Sequence, residues 1–297
     1  MKKNVARRPR FKRVSDFRNT RLTARDRAIL SAVSRFRFLT TSHILSLTSG
    51  SRQNIIRRLQ RLYHAGFLDR PKAQLPLRFA GELAELVYAP TCKGIAQTMA
   101  LGETTVWKKT YRPVSSLFLK HALSISDALI FIETACRLRG AHFVPEKDIF
   151  DSTQCKAAAK RLQWRITIKS GRFMEKVGII PDAAFATEKQ DESGTKRRWY
   201  FLEADRGTMP LYRKSLRLSS IRRKALAYSQ SRRSKVLKER SGIPGFQVLF
   251  VSRSKGRLER MKDVCREAMQ GHATSLFLFA TLDDLKHDDT FASLGMV

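Results

Sequence analysis

Acidic residues are scarce in this 297-residue sequence, which has 26 Asp and Glu against 58 Lys and Arg and a formal net charge of +32. A chain this positive repels itself unless a polyanion offsets the charge. Nucleic acid fits best as that polyanion, because each neutralised phosphate releases a counterion and adds affinity. A ribosomal or a membrane-surface protein is the alternative that charge alone leaves open.

Paired cysteines and long apolar runs are also missing. No apolar run approaches the roughly 20 residues of a membrane span, and the charged start MKKNVARRPRFKR has no apolar stretch behind it. We therefore expect no membrane segment and no secretory signal. The spacing of the cysteines predicts reduced thiols in a cytoplasmic protein, without a disulfide framework or a zinc finger. There are four of them, far apart and without a C-x-x-C pair: Cys92, Cys136, Cys155 and Cys265.

Three classes of DNA enzyme lack their motifs. The six histidines form no H-x-H pair, which a relaxase uses to hold its metal, and no H-x-x-R string precedes a tyrosine, as a tyrosine recombinase requires. The string G-x-x-x-x-G-K-[ST] is absent as well, so no ATP-driven motor of that kind is expected. An accessory or initiator protein is favoured over a strand-cutting transesterase.

The first part of the chain has the pattern of a small helical DNA-binding domain. Residues 1–22 predict a disordered basic arm that lies along phosphates. Thr23 then begins a first helix, Thr40 and Thr41 end it and cap a short second one, and a third helix runs to a stop at Gly66. Two strand-like pieces that flank a proline-containing segment predict a long hairpin, and Thr91 caps a return helix.

This order is that of a winged helix-turn-helix domain over residues 23–101. The runs RRLQRLYHAGFLDR and LVYAPTCKGIA resemble the recognition helix, wing and following helix of winged-helix regulators. The resemblance implies double-stranded DNA as the partner, with the third helix in the major groove. The side chains that we expect to contact DNA lie mostly off the apolar stripe of that helix: Arg52, Gln53, Asn54, Arg57, Arg58 and Arg61.

The rest of the chain predicts a second domain of the α/β class with a mixed sheet, so that the protein is α+β overall. Residues 102–116 have the composition of a linker, and residues 117–282 alternate helical and strand-like segments. Residues 283–297 are mildly acidic and predict a loose tail.

The strongest candidate for chemistry is a group of carboxylates. Asp182 lies in the middle of one apolar strand-like stretch, after Pro181, and Glu203 and Asp205 end the next stretch. Side chains alternate along a strand, so Glu203 and Asp205 share a face that Asp182 can join. Carboxylates gathered in this way repel each other unless a cation lies between them, and hard oxygen ligands suit Mg²⁺. Asp182 and Glu203 are the candidate metal ligands.

This pattern resembles the PD-(D/E)xK nuclease superfamily. The resemblance implies that Asp182, Glu203 and Asp205 are catalytic, but position 205 is a lysine in that superfamily. Lys224 from the next helix is the first candidate to replace it, and Lys214 is another. Asp127 or Glu133 from the preceding helix would be further ligands. The structural alternative is that Asp182 and Asp205 cap turns while Glu203 pairs with an arginine.

A second basic concentration spans residues 206–240 and follows these carboxylates. A phosphate backbone bound at the carboxylates would lie against it, so we expect it to contact DNA. The candidate residues are Arg213, Lys214, Arg217, Arg222 and Arg223.

The chain as a whole resembles the plasmid replication-relaxation protein family over about residues 23–255. The likeness is carried by the winged-helix runs and by the motifs HALSISD, PDA, EADRGT and KALAY, which begin at His121, Pro181, Glu203 and Lys224. It implies a role in the replication, relaxation or transfer of a plasmid or other mobile element. Replication or conjugation proteins are the protein partners that this role implies, and a homodimer is a further possibility. Two alternatives remain: a Mg²⁺-dependent endonuclease, and a winged-helix transcription regulator whose second domain is catalytically inactive.

Overall fold

The computed structural model describes residues 10–14, 17, 20–102, 114–152, 162–170, 173–192, 194–270 and 275–296. Helices and a mixed sheet make up the protein, which confirms the predicted α/β class. The chain divides into two compact units, Met1–Ser126 and Asp127–Val297. Within the described ranges, no helix has the length and apolar character needed to cross a bilayer.

The first unit consists of short helices around a three-stranded antiparallel sheet with the order β1-β3-β2. Its elements are α1 Ala24–Phe36, β1 Leu39–Thr40, α2 Thr41–Leu47, α3 Arg52–His64, β2 Leu68–Asp69, α4 Gln74–Phe79, β3 Val87–Pro90, α5 Cys92–Met99 and the start of α6 Ser116–Leu138.

Helix ends in this unit are set by local sequence, as predicted. The Thr23 side chain accepts from the Asp26 amide and the Asp26 side chain accepts from Thr23, which completes a capping box at α1. Thr40 and Thr91 cap α2 and α5 in a similar way. Gly66 follows α3 with φ +81°, a conformation that glycine adopts without strain.

The segment between β2 and β3 was predicted as a plain hairpin loop, and that prediction was wrong. It contains the helix α4. The Gln74 side chain accepts from the Val87 amide (2.9 Å) and donates to the Val87 carbonyl (3.1 Å), so it pairs with β3 as a strand would. Leu77 is buried in a cluster with Phe38 and Leu119. These contacts are far apart in sequence, and they fold the loop into a helix.

The described part of the basic arm is packed, which corrects the expectation of a disordered arm for these residues. The Arg13 guanidinium donates to the Tyr63 carbonyl (3.0 Å) and pairs with Asp69 (3.1 Å). Phe17 stacks on His64 with ring centroids 5.5 Å apart. The rest of the arm, residues 1–9, 15, 16, 18 and 19, and most of the expected linker, residues 103–113, lie outside the described residues.

The second unit is built on a five-stranded sheet with the order β10-β9-β8-β7-β4. Strands β8, β9 and β10 run parallel, whereas β4, β7 and β8 pair antiparallel. Its elements after α6 are β4 His142–Pro145, α7 Glu146–Ser152, β5 Trp164–Ser170, β6 Phe173–Ile179, β7 Ala183–Asp191, β8 Gly194–Ala204, α8 Ile221–Arg233, α9 Val236–Ser241, β9 Gln247–Ser252, α10 Lys255–Ala268, β10 Phe277–Thr281, a 3-10 turn Asp284–Lys286 and α11 Asp288–Ser293.

The core of this unit lies where α8, α10 and the β5–β6 hairpin cover the sheet. Tyr228 of α8 and Met261 of α10 are fully buried beside Phe201 and Phe250 of the sheet. Trp164 of β5 packs on Phe201 and donates from its indole nitrogen to Ser231 of α8 (2.8 Å). The helix α8 is therefore fixed on the sheet along its length.

The sequence predicts single strands over residues 142–150 and 176–187 of the second unit, and both differ from the structure. The stretch from Lys176 to Thr187 was expected to be one strand, but it contains parts of two, because β6 pairs with β5 whereas β7 joins the five-stranded sheet. Pro181 and Asp182 form the break, and a proline has no amide hydrogen to continue a ladder. After β4, the chain turns into α7 rather than continuing as a strand.

The expected loose tail is packed where it is described. Phe291 and Met296 are buried. The Met296 carbonyl accepts from the Thr187 hydroxyl (3.0 Å) and the Tyr200 hydroxyl (3.3 Å). Apolar burial at these two positions outweighs the mild acidity that predicted a loose end.

Candidate functional site

The outer face of α3 is polar and basic. Ile55, Leu59 and Leu62 bury the other face in the first unit. Of the residues predicted to contact DNA, Gln53, Asn54, Arg57 and Arg61 are exposed.

Arg58 of the same helix has a different environment. Its Nε donates to Asp26 Oδ1 (2.6 Å) and its Nη2 donates to Asp26 Oδ2, and the Asp26 side chain is fully buried. Burial alone would raise the pKa of Asp26, but the hydrogen bonds from Arg58 and Thr23 outweigh it and hold that pKa below its ordinary value. Arg58 therefore joins α3 to α1, and it does not belong to the exposed basic face.

Arg52 is also engaged, although its side chain remains half exposed. It forms an ion pair with Glu85, which accepts from the Ser42 amide (2.8 Å) and the Ser42 hydroxyl (2.9 Å). Glu85 thus ties the start of α2 and the start of α3 to the segment before β3.

In the second unit, Asp182 and Glu203 meet at the junction of β7 and β8. The Asp182 amide donates to the Leu202 carbonyl (3.0 Å), and Asp182 Oδ2 accepts from the Ala204 amide (2.9 Å). Asp182 therefore extends the β7–β8 ladder past Ala183, and it bonds to the backbone of the residues before and after Glu203. Glu203 has only 2% of its surface exposed.

Two residues of α8 close on Glu203. The Lys224 ammonium donates to Glu203 Oε2, and the Tyr228 hydroxyl donates to Glu203 Oε1 (2.5 Å). Lys224 and Tyr228 are four residues apart, which places them on one face of the helix. We call these residues, with Asp182, the Glu203 cluster.

Burial and charge act in opposite directions in the Glu203 cluster. Burial raises the pKa of Glu203, and the Lys224 charge only partly opposes this. Burial alone would lower the pKa of Lys224, but the carboxylates of Glu203 and Asp182 outweigh it and raise that pKa above its ordinary value. Lys224 therefore stays protonated and supplies the cation beside these carboxylates.

Asp205 bonds to a residue of α10, although its charge also helps to raise the pKa of Lys224. It pairs with Arg257 of α10 (3.0 and 3.2 Å), and Arg257 also donates to the Met209 carbonyl. Asp205 Oδ2 accepts from the Gly207 amide (2.9 Å), so Asp205 caps the turn after β8. The position that holds a lysine in the nuclease superfamily has a structural role here.

A metal-binding group of three or more His, Cys, Asp or Glu side chains is not found among the described residues. Asp127 and Glu133 therefore do not complete a set with Asp182 and Glu203. Each oxygen of Glu203 already accepts a hydrogen bond, from Lys224 or Tyr228, so a divalent ion at Glu203 would compete with the Lys224 ammonium for the same carboxylate. The arrangement fits an ion pair better than a metal cage, and no reaction step through a metal is derived.

Some of the predicted DNA-contacting residues after β8 are bonded to other parts of the second unit, and others are exposed. Arg217 lies 3.3 Å from Glu175, Arg222 lies 4.0 Å from Glu267, and Arg223 donates to the Gly178 carbonyl (3.2 Å). Arg213 and Lys214 are exposed. This segment therefore keeps some cations at its surface and uses others to hold α8 in place.

The chain was compared with protein families, curated proteins and solved structures. Residues 30–245 match the model of a family described as Replication-relaxation, which is more than half of the chain. The chain belongs to the replication-relaxation family. This confirms the predicted family and associates the protein with the replication or relaxation of plasmids and other mobile elements. No curated protein and no solved structure gives a significant match.

Two residues of this replication-relaxation protein were missed as site residues. Tyr228 belongs to the KALAY motif, and its spacing of four from Lys224 was a usable signal. Arg257 gave no signal, because it is 52 residues from Asp205 and lies beyond the part of the chain that matches the family.

Proposed function

We propose that this replication-relaxation protein binds duplex DNA through its first unit, with α3 as the recognition helix of a winged helix-turn-helix domain. The observation that carries the proposal is the exposed polar and basic face of α3, which lies opposite its buried face. This exposed face includes Gln53, Asn54, Arg57 and Arg61. Arginine and amide side chains are the groups that bind guanine, adenine and phosphate.

The order of elements supports this proposal. Three helices, the short strand β1 between the first two, and the pair β2 and β3 follow the winged-helix arrangement. In that arrangement the third helix enters the major groove. The net charge of +32 provides the favourable field.

Replacing both Arg57 and Arg61 with Ala should weaken binding of the full-length protein to a duplex of random sequence about 25-fold at 0.1 M salt, because two cations leave the DNA-facing surface. The slope of log affinity against log salt should fall by about two units. Fluorescence anisotropy over a salt series measures both quantities.

Arg27→Ala is the matched control, since Arg27 is an exposed arginine of α1 in the same unit. It should change affinity less than twofold. A double variant of α3 that binds like wild type, or a control that loses as much, contradicts the assignment of α3.

The second candidate function is a Mg²⁺-dependent endonuclease in the second unit. Two observations favour it. Lys224 reaches Glu203 from α8. The elements α6, β4, β7, β8, α8 and β9 occur in this order along the chain, with other elements between them, and β8 and β9 are parallel. The same order of elements underlies the resemblance to the PD-(D/E)xK superfamily. The departure at Asp205, which is paired with Arg257, weighs against strong activity.

This candidate predicts that Mg²⁺ or Mn²⁺ makes the protein nick supercoiled plasmid and that Asp182→Asn abolishes nicking. Asp263→Asn is the control, because Asp263 is an exposed carboxylate of α10. Gel electrophoresis of plasmid over a metal titration gives the result. Absence of nicking by wild type at every metal concentration rejects the candidate and leaves the second unit as a binding scaffold.

A further inference from the structure

A basic cleft of about 540 Å³ lies beside the β5–β6 hairpin of the second unit. Arg165, Lys176 and Arg240 contribute cationic side chains to its lining, and the described lining residues include no carboxylate. Neither the Glu203 cluster nor α3 contributes to it. A cleft of this composition attracts an anion.

The two faces of the β5–β6 hairpin differ, since one is apolar and buried and the other is exposed and carries cations. Trp164, Ile168 and Val177 are buried on the face that packs against the core. Side chains alternate along a strand, so Arg165 of β5 and Lys176 of β6 lie on the opposite face, and both are exposed.

Gly178 lies near the open end of the hairpin and presents no side chain on this outer face. It pairs directly with Arg165 in the hairpin register. A Cβ added at Gly178 would meet no atom within 4 Å, so the space in front of it is open. A glycine inside a strand weakens the strand and often marks a point where a ligand or another backbone approaches closely.

The cleft is connected to the Glu203 cluster through two links. Arg223 donates to the Gly178 carbonyl (3.2 Å), and the next residue of α8 is Lys224. Along the chain, Ile180 of the cleft lining precedes Pro181 and Asp182. A polymer lying in the cleft would therefore be held next to the cluster.

We propose that this cleft binds the sugar-phosphate backbone of a DNA strand and holds it beside the Glu203 cluster. The inference rests on DNA being the partner, as proposed above. Cations and a bare strand backbone suit phosphates, whereas the cleft lining offers no exposed aromatic ring on which a base could stack. An open cleft also suits a passing polymer better than a small ligand, which is usually enclosed.

A charge series at Gly178 tests the proposal. The open space lets Gly178→Glu and Gly178→Lys enter the cleft without steric conflict, and Gly178→Ala serves as the neutral control. The probe is a fluorescein-labelled 20-nucleotide DNA single strand, with a duplex of the same sequence as a second probe. At 0.1 M salt, we expect Gly178→Glu to weaken binding about fivefold and Gly178→Lys to strengthen it about fivefold, since one charge changes the salt slope by roughly 0.7 to 0.9 units.

The same series is measured in the Arg57→Ala/Arg61→Ala background. If the Gly178 substitutions shift DNA affinity in this background as they do in wild type, the cleft binds DNA independently of α3. The experiment can therefore reject either proposal without rejecting the other. Opposite shifts in DNA affinity for Gly178→Glu and Gly178→Lys, on either probe, support the proposal that the cleft binds DNA. Variants that all bind like wild type, or Glu and Lys variants that weaken binding alike, overturn it.

Discussion

Replacing Lys224 with Met should lower the free energy of unfolding by about 3 kcal/mol at pH 7. Glu203 is buried, and Lys224 is the cation that offsets its charge. Removing the ammonium leaves a carboxylate that must either stay charged without its partner or take up a proton. Tyr228 still donates one hydrogen bond to it, so the loss falls at the lower end of that known for broken buried pairs.

A double-mutant cycle separates the pair from the packing of the two side chains. Glu203→Gln combined with Lys224→Met should recover most of the loss, because neither buried charge then remains. Lys196→Met is the control, since Lys196 forms an exposed pair with Asp191 (2.6 Å), and it should cost about 0.5 kcal/mol or less. Urea denaturation gives the energies. A Lys224→Met loss below about 1 kcal/mol, or additive losses in the cycle, would contradict the account of the cluster.

Asp26→Asn should also destabilise the protein by about 3 kcal/mol at pH 7, because it leaves the Arg58 guanidinium without its carboxylate. The pKa of Asp26 is lowered in the folded protein from the ordinary 3.8. A lowered carboxyl pKa contributes stability that is present above the ordinary value and is lost as pH falls through the folded pKa. The difference between wild type and variant should therefore stay constant down to about pH 5 and narrow only below about pH 4.

Urea denaturation of both proteins at a series of pH values measures this difference. Asp263→Asn is the matched control, since its carboxylate is exposed and pairs with Arg266 in the same helix. That variant should track wild type at every pH. An Asp26→Asn difference that is absent at pH 7, or that widens on acidification, would show that the Asp26–Arg58 pair does not stabilise the first unit.

Helix starts could be predicted from sequence because their causes are local. Thr23, Thr40 and Thr91 each precede the helix that they cap, and the bonds span three residues. The helix α4 could not be predicted, since it depends on Gln74 pairing with Val87 thirteen residues later. The break between β6 and β7 had a local sign in Pro181, but the apolar residues on both sides hid it.

The residues of the candidate site could be predicted only in part from the sequence. Strand alternation predicted Glu203 and Asp205 on one face, with Asp182 able to join them from a neighbouring strand. Lys224 was the first choice to complete that site because it lies on the following helix, and its ammonium donates to Glu203. The turn cap formed by Asp205 was one of the alternatives that the sequence offered, but the ion-pair partners of Arg58 and Asp205 were not predictable. Their partners, Asp26 and Arg257, lie 32 and 52 residues away, and no periodic pattern connects them.

Photo-crosslinking from α3 tests most directly the central claim that the first unit binds duplex DNA through this helix. Gln53 and Gln97 are both exposed glutamines of this unit, on α3 and α5 respectively, and each is replaced by a photoreactive benzoyl-phenylalanine in the full-length protein. After irradiation with labelled duplex, the account predicts a crosslinked product from position 53 and little or none from position 97. Equal yields from both positions, or a product from position 97 alone, would contradict it.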